Sequence, residues 1–273
     1  MVTTPHNTMT PPDAYYDAAL RWFAGASSLT LARALIDGTM DERSLWLHFE
    51  GFGLAELLMS ESDATERAHI VAGVARAAGQ QLFTGPFFAG SSIGAGPRKA
   101  DGSVSGWQDQ AETAWKLPVS DSARAARESA DLALLSTCAR MLGASQQTLS
   151  LAIEHLSTRK QFGRVLSSFQ TLQHASVDRH CELVLSGALL AQCVEHWSDE
   201  ALREGALHAL KELLSQAAVA AAEHAVQMLG AMGFTHECDV GLYLRHVLTL
   251  AARHGTAARH RAAFASLDVS FLD

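Results

Sequence analysis

One short segment combines residue types that suit contact with a phosphate group. Residues 157–164 read STRKQFGR, so Arg159 is followed three residues later by Phe162 and then by Gly163. The planar guanidinium of an arginine offers a fixed fork of donors that matches phosphate oxygens. A plainer interpretation is that Arg159 caps the C-terminus of a helix and that Gly163 ends that helix. The spacing alone leaves both interpretations open.

A second segment is rich in glycine and suits the same chemistry. Residues 225–235 read AVQMLGAMGFT, with Gln227 followed by Gly230 and Gly233. Because glycine has no Cβ, the backbone at such positions can come close to a bulky anion. Two segments of the chain therefore carry candidate contacts to a phosphate-bearing ligand.

The candidates for acid–base chemistry are one histidine and two acidic residues. His254 precedes Gly255 and Thr256, and an unperturbed imidazole titrates near neutrality. Glu128 and Asp131 are three residues apart on a predicted helix and share a face, so neither is excluded as a base. The alternative for His254 is a solvated basic helix end that interacts favourably with the helix dipole. Its basic neighbours in the sequence are His246, Arg253, Arg259, His260 and Arg261.

Other chemistries find little support in the sequence. His246, His254 and His260 lack the close spacing of metal ligands, so we predict no metal site. No Gly-x-Ser-x-Gly elbow or P-loop is present. The four cysteines are scattered without a Cys-x-x-Cys pair, which indicates free thiols in a reducing cytoplasm. They are Cys138, Cys181, Cys193 and Cys238.

Composition narrows the class of protein. The chain has 273 residues, of which 48% are hydrophobic and 18% charged, as in an ordinary globular protein. A formal net charge of −8 without a basic run argues against nucleic-acid binding. No apolar run reaches membrane-spanning length, so we expect no membrane insertion.

The pattern along the chain predicts a mainly helical protein in four parts. Residues 1–12 are expected to be a flexible leader and residues 13–90 a helical part that includes a helix over 64–82. Glycine and proline punctuate residues 91–122, which we interpret as a linker with a β remnant and a short hairpin over 104–115. Residues 123–273 predict an antiparallel four-helix bundle. Its helices are expected near 123–156, 170–197, 200–229 and 241–267.

Three segments of the predicted bundle resemble the C-terminal helical domain of the acyl-CoA dehydrogenases. Residues 157–174 are similar to the family's TRxQFGxxxxxFQxxQH stretch, and residues 225–235 to its QxxGGxGF turn. Residues 242–245, with 254–256 further on, resemble a third family segment. A weaker likeness to the end of the family's N-terminal helical domain covers residues 77–88.

This resemblance implies a set of site residues. In the family, the corresponding arginine, phenylalanine, glutamine and glycines contact the diphosphate and adenine half of FAD, often across a subunit interface. The implied reaction is α,β-dehydrogenation of an acyl-CoA: a carboxylate takes the α-proton and the flavin accepts hydride from the β-carbon. Carried over by position, the cofactor contacts are Arg159, Phe162, Gln227, Gly230, Gly233 and Thr256.

The chain departs from the family pattern at two places. Residues 91–122 are too few for the central β-domain that cradles the flavin, which is therefore expected to be absent or reduced to a remnant. His254 stands where many members carry a catalytic glutamate before Gly-Thr. Some relatives hold their glutamate instead on the long helix before the Arg-x-x-Phe-Gly motif, where Glu128 is the nearest glutamate here and Asp131 shares its face, so the resemblance implies His254 and Glu128 as the candidate bases. Residues 237–239, followed by 242–245, look most like the short acyl-CoA dehydrogenase subunits of bacterial sterol-type and aromatic acyl-CoA breakdown, which often work as unlike pairs.

The resemblance implies an acyl-CoA dehydrogenase-like subunit that binds FAD alone or shares it with a partner, either a second copy or another dehydrogenase subunit. Loss of the β-domain implies that such a chain is degenerate or depends on that partner. Two other functions stay open. One is a non-catalytic assembly or scaffold subunit without flavin. The other is an enzyme that acts on acyl-CoA without redox chemistry and uses His254 or Glu128 as its base.

Overall fold

The computed structural model describes residues 14–25, 28–40, 52–83, 123–235 and 237–267. The predicted leader, the predicted linker with its short hairpin, and residues 84–90 of the predicted first helical part lie outside these ranges. The boundaries predicted for those parts therefore stay predictions.

The N-terminal part is helical, as predicted. The predicted helix over 64–82 is confirmed as a helix that ends at Gln80, followed by a turn. It begins after Asp63, whose carboxylate accepts hydrogen bonds from the backbone N–H groups of Thr65 at 2.7 Å and Glu66 at 3.0 Å. The described helices of this part are α1 (Ala14–Gly25), α2 (Ser28–Ile36), α3 (Leu54–Ser60) and α4 (Ala64–Gln80).

The C-terminal part is the antiparallel helical bundle that the sequence predicts. Short connections join its long helices, so successive helices run in opposite directions. A two-stranded hairpin and two 3-10 turns fill the connections at one end, and this hairpin is the only sheet within the described ranges. The helices are α5 (Ala123–Thr158), α6 (Gln170–Glu195), α7 (Glu200–Leu229), α8 (Asp239–Ala252) and α9 (Ala257–Ala265).

The prediction of one continuous last helix over 241–267 is wrong. The helix breaks between α8 and α9 because His254 and Gly255 adopt positive φ values of 59° and 112°, which no α-helix accommodates. Thr256 then starts α9 as its N-cap, with its hydroxyl accepting a hydrogen bond from the backbone N–H of Arg259 at 3.4 Å. The helical spacing of apolar residues continues through this turn, so periodicity alone does not indicate the break.

Helices α5 and α7 run side by side in the same direction. Near their N-termini, Arg203 of α7 donates from Nε to Asp131 of α5 at 2.9 Å and from Nη1 to the carbonyl of Trp197 at 2.7 Å. Near their C-termini, a separate small apolar cluster joins the two helices to the start of α8. That cluster consists of the buried residues Ala152, Ala225, Val226 and Val240.

The crossing of α4 over α5 is very close and depends on two glycines. A Cβ added to Gly79 would lie 1.9 Å from the carbonyl oxygen of Arg140, and one added to Gly143 would lie 2.0 Å from the carbonyl oxygen of Arg76. Contacts under 3.0 Å to backbone atoms require the helices to separate. This glycine pair therefore sets the distance at which the N-terminal part packs on the bundle.

A fully buried lysine holds the C-terminus of α8. Lys211 of α7 donates from Nζ to the carbonyl oxygens of Leu250 at 3.0 Å and Ala251 at 2.9 Å, and to Ser215 Oγ at 3.1 Å. These three acceptors match the three N–H donors of an ammonium group. Burial lowers the pKa of Lys211, but the complete set of bonds identifies it as a structural cap of α8.

We predict that Gly79→Ala or Gly143→Ala lowers the free energy of unfolding by about 2–3 kcal/mol or more, because overpacking against a backbone carbonyl is costly. Urea unfolding followed by circular dichroism measures the change. Gly187→Ala is the matched control, because its nearest atom, Leu142 Cδ2, lies 3.7 Å from the added Cβ. Alanine there gains helix propensity, so equal losses at Gly187 and Gly79 would contradict the close crossing.

We also predict that Lys211→Met destabilises the protein by about 2–4 kcal/mol, because two buried carbonyls lose their donor. Thermal or urea unfolding checks this value. The control is Lys160→Met, which changes charge equally at an exposed position. A loss no larger than that of the control would show that Lys211 does not cap α8.

Candidate functional site

The segment after α5 is a β-hairpin with an aromatic residue at its tip. Strands β1 (Lys160–Gln161) and β2 (Arg164–Val165) pair antiparallel, with Lys160 opposite Val165. The two loop residues, Phe162 and Gly163, both have positive φ, 54° and 79°, as a type I′ turn requires. The interpretation of Gly163 as the end of a helix is therefore wrong, since α5 ends at Thr158.

This hairpin presents a cation and an aromatic ring to solvent. Phe162 is 88% exposed. Arg159, at the base of the hairpin, is also exposed, and its guanidinium has no hydrogen-bond or salt-bridge partner in the described part of the chain. Arg164 instead stacks its guanidinium 3.9 Å from the ring centroid of Phe169. Of these two arginines, Arg159 is the one that remains available to a ligand.

The two glycines of the turn after α7 have different structural roles. Gly230 has φ 61° and ψ −137°, and a Cβ there would meet no atom within 4 Å, so the surface beside it is open. Gly233 is buried, and its Cβ would lie 2.7 Å from the carbonyl oxygen of Val226. Gly230 thus permits close approach of a ligand, whereas Gly233 lets the turn pack on α7.

Five of the predicted cofactor residues lie at one end of the bundle. Since α5 and α7 run in parallel and their C-termini meet in the small apolar cluster, the hairpin and the glycine turn leave the bundle at the same end. Gln227, in the last turn of α7, is exposed there. The five are Arg159, Phe162, Gln227, Gly230 and Gly233.

Thr256 and His254 lie in a different region. The turn that carries them follows the C-terminus of α8, which Lys211 caps from the first half of α7. Lys211 and Gln227 are 16 residues apart on one helix, which places them roughly 24 Å apart along its axis. The hydroxyl of Thr256 caps α9, and the structure does not bring it together with the other five predicted cofactor residues.

His254 is a neutral, half-buried histidine. Burial is the main cause that lowers its pKa to about 4; the positive charges of Arg253 and Lys211 act in the same direction, as does His260 whenever it is protonated. The interpretation of this region as a solvated basic helix end fails for the buried His246 and His260, whereas Arg259 and Arg261 are exposed. A group with this pKa is free of a proton at neutral pH, but it holds a captured proton weakly.

The acidic candidates on α5 are both engaged by arginines. Glu128 Oε1 accepts from Arg67 Nη2 at 2.5 Å, in an ion pair between α5 and α4. Asp131 accepts from Arg203, as described above, and burial raises its pKa despite that arginine. Each carboxylate would have to leave its ion pair to act as a base.

Sequence analysis missed two contacts near the glycine turn and the hairpin. Ser176 Oγ and His224 Nε2 lie 3.1 Å apart and join α6 to α7, a pairing across 48 residues that no local pattern signals. The stacking of Arg164 on Phe169 was also missed. The Phe-Gly dipeptide was a usable signal for the two-residue hairpin loop, since glycine favours the positive φ that such loops need.

Two further properties concern only the described residues. None of their helices is both long and apolar enough to cross a membrane. Their histidine, cysteine, aspartate and glutamate side chains form no group of three that could hold a metal ion.

Known proteins with similar sequences carry the same type of domain. The profile of the family described as "Acyl-CoA dehydrogenase, C-terminal domain" matches residues 123–266. Acyl-CoA dehydrogenase IpdE2 of Mycobacterium tuberculosis is 31% identical over 128 residues, which cover 47% of this chain and 37% of that protein. IpdE2 of Mycolicibacterium smegmatis is 30% identical and is matched over 38% of its length. The matched region thus spans little more than a third of these relatives.

Solved structures agree on the fold. A chain of the Tcur3481-Tcur3483 steroid ACAD superposes with a TM-score of 0.72 at 16% identity, over 93% of this chain and 96% of that one. A glutaryl-coenzyme A dehydrogenase in complex with glutaryl-CoA superposes with a TM-score of 0.50 at 25% identity, over 56% and 39% of the two chains. With its bundle matched in sequence and in structure, the chain belongs to the acyl-CoA dehydrogenase family.

Proposed function

We propose that this chain is a subunit of an acyl-CoA dehydrogenase and contributes contacts to the adenine and diphosphate half of FAD. The observation that carries the proposal is the exposed, unpaired guanidinium of Arg159 at the same bundle end as Gln227 and the open face of Gly230. A diphosphate requires donors of this kind together with a backbone that it can approach closely.

The residues at this bundle end fit a flavin nucleotide in part. Arg159 supplies donors for phosphate oxygens, and the exposed ring of Phe162 offers an apolar contact. The described residues at this end include no acidic residue paired with Arg159, so a phosphate would not displace an existing ion pair. When bound, the flavin supplies the acceptor for a hydride from the acyl chain. This chain's own residues bind and orient the nucleotide.

A partner subunit would complete the site, in a homo-oligomer or with a different dehydrogenase subunit. Glu128 and Asp131 are held by arginines, and the lowered pKa of His254 makes it a weak base. The carboxylate that removes the α-proton of the acyl-CoA would therefore come from the partner. This arrangement would make the chain catalytically dependent on its partner, in a complex that we expect in the cytoplasm.

The engaged carboxylates of Glu128 and Asp131 and the lowered pKa of His254 also fit one alternative, a scaffold subunit that keeps the bundle but binds no flavin. In both the dehydrogenase subunit and the scaffold subunit, this chain supplies no base for the α-proton. An enzyme that acts on acyl-CoA without redox chemistry, through His254 or Glu128, is a further alternative. It predicts thioester turnover without flavin that is lost in His254→Ala or Glu128→Ala.

Flavin content separates these functions. We expect the chain, purified alone or co-expressed with a dehydrogenase-like product of a neighbouring gene, to carry flavin absorbance. Arg159→Ala should weaken FAD binding about 10- to 100-fold, because it removes a charge-assisted hydrogen bond to the diphosphate. Equilibrium titration of the flavin-free protein with FAD measures the change.

The matched control is Arg127→Ala, which removes an exposed arginine near the N-terminus of α5, where it pairs with Glu200. This variant should bind FAD like the parent protein. A complex that is colourless in every pairing would support the scaffold function. Equal effects of the two substitutions on FAD binding would contradict the site proposed at Arg159.

A further inference from the structure

The turn between α8 and α9 is held by a chain of two histidines. His260 Nε2 lies 3.0 Å from the backbone carbonyl oxygen of His254, inside the turn. His260 Nδ1 lies 2.9 Å from His208 Nδ1, on the neighbouring helix α7. Because His254 has a positive φ and is not a glycine, its conformation is one that the surrounding contacts must maintain.

These contacts fix the protons of both rings. A carbonyl oxygen only accepts, so His260 Nε2 must carry the hydrogen. In a neutral His260, Nδ1 is then the acceptor, and His208 Nδ1 must donate to it. The hydrogen bonds therefore run in one direction, from His208 through His260 to the carbonyl of His254.

A second proton on His260 would break this chain. It would place an N–H on Nδ1 directly opposite the N–H of His208, so two donors would face each other without an acceptor. His260 is only 4% exposed, and water has little access to relieve the conflict. His208 differs, because a proton on its other nitrogen leaves its Nδ1–H bond intact.

The charges around His260 also oppose its protonation. Burial is the largest cause that lowers its pKa; the hydrogen bond to His254 acts in the opposite direction, and nearby positive charges lower the pKa further. The acid that faces this region from α7, Glu212, is engaged by Arg261 through Nε at 2.9 Å. The titratable or cationic groups facing His260 are His208 and Lys211 from α7, His254 from the turn, and Arg259 from its own helix.

We propose that His260, oriented by His208, is a positioning residue that holds the His254–Thr256 turn and α9 on α7 when neutral and releases them when protonated. The proposal is independent of flavin binding, because it concerns the end of the bundle that does not carry Arg159. It makes the turn that bears the candidate base His254 sensitive to pH.

The direction of the His260 pKa shift determines how the stability of the protein changes with pH. His260 has a lower pKa in the folded protein than the ordinary histidine value of 6.5. The unfolded chain therefore binds more protons, so the stability that His260 contributes is present above about pH 6.5 and is lost as the pH falls below it. His254 and His246 have lowered pKa values too and shift stability in the same direction, so the test must compare variants at His260 itself.

The test is hydrogen exchange of residues 253–265, expressed as protection factors at about pH 7.5 and about pH 5. We expect the protection of α9 in the parent protein to fall about fivefold or more at the lower pH, the factor that one lost hydrogen bond implies. His260→Gln should keep its protection at both pH values, because glutamine can accept from His208 and donate to the His254 carbonyl but does not titrate.

Two variants complete the design. His208→Phe removes the donor that orients His260 and should lower protection at both pH values. His180→Gln, an exposed histidine on α6, should behave like the parent protein. The proposal is overturned if protection in the parent protein is the same at both pH values, or if His260→Gln loses protection on acidification as the parent does. Imidazole nitrogen NMR that finds the hydrogen of neutral His260 on Nδ1 would also overturn it.

Discussion

The parallel packing of α5 against α7 is the constraint on which the candidate site depends. Arg203 fixes the two helices near their N-termini, where it bridges Asp131 and the carbonyl of Trp197. Small buried side chains let the same helices approach at their other end. Residues separated by about seventy positions in the sequence thereby leave the bundle together, and neither the hairpin nor the glycine turn could form this surface alone.

The two ends of the bundle have different chemistry. At one end, exposed groups with few partners, above all Arg159 and Phe162, present donors and an aromatic surface to a ligand or a partner subunit. At the other end, buried or half-buried basic groups such as Lys211 and His260 serve the structure by holding a helix terminus and a turn. Basic residues therefore have different roles at the two ends, and burial distinguishes those roles.

Sequence reasoning predicted the elements that periodicity specifies. The helix over 64–82 and the bundle after residue 123 follow from apolar spacing and are present. The hairpin at Phe162 was missed although its Phe-Gly loop is a local signal, whereas the break at His254 depends on a positive φ in a turn that His260 contacts from α9. The family resemblance implied cofactor contacts at Arg159, Gln227 and Thr256 alike. The packing of α5 on α7 was needed to show that Arg159 and Gln227 share one end of the bundle and that Thr256 lies at the other. The tautomers of His208 and His260 required atomic distances.

The distance between the hairpin and the glycine turn tests this account most directly. In a protein with the accessible Cys181 and the partly exposed Cys238 replaced by serine, spin labels at the exposed positions Lys160 and Ala231 would report that distance by pulsed electron resonance. The packing of α5 beside α7 predicts a separation below about 30 Å, label arms included, and a clearly longer one for labels at Lys160 and Ala258. A longer distance for the first pair than for the second would contradict the shared bundle end, and with it the proposed nucleotide site.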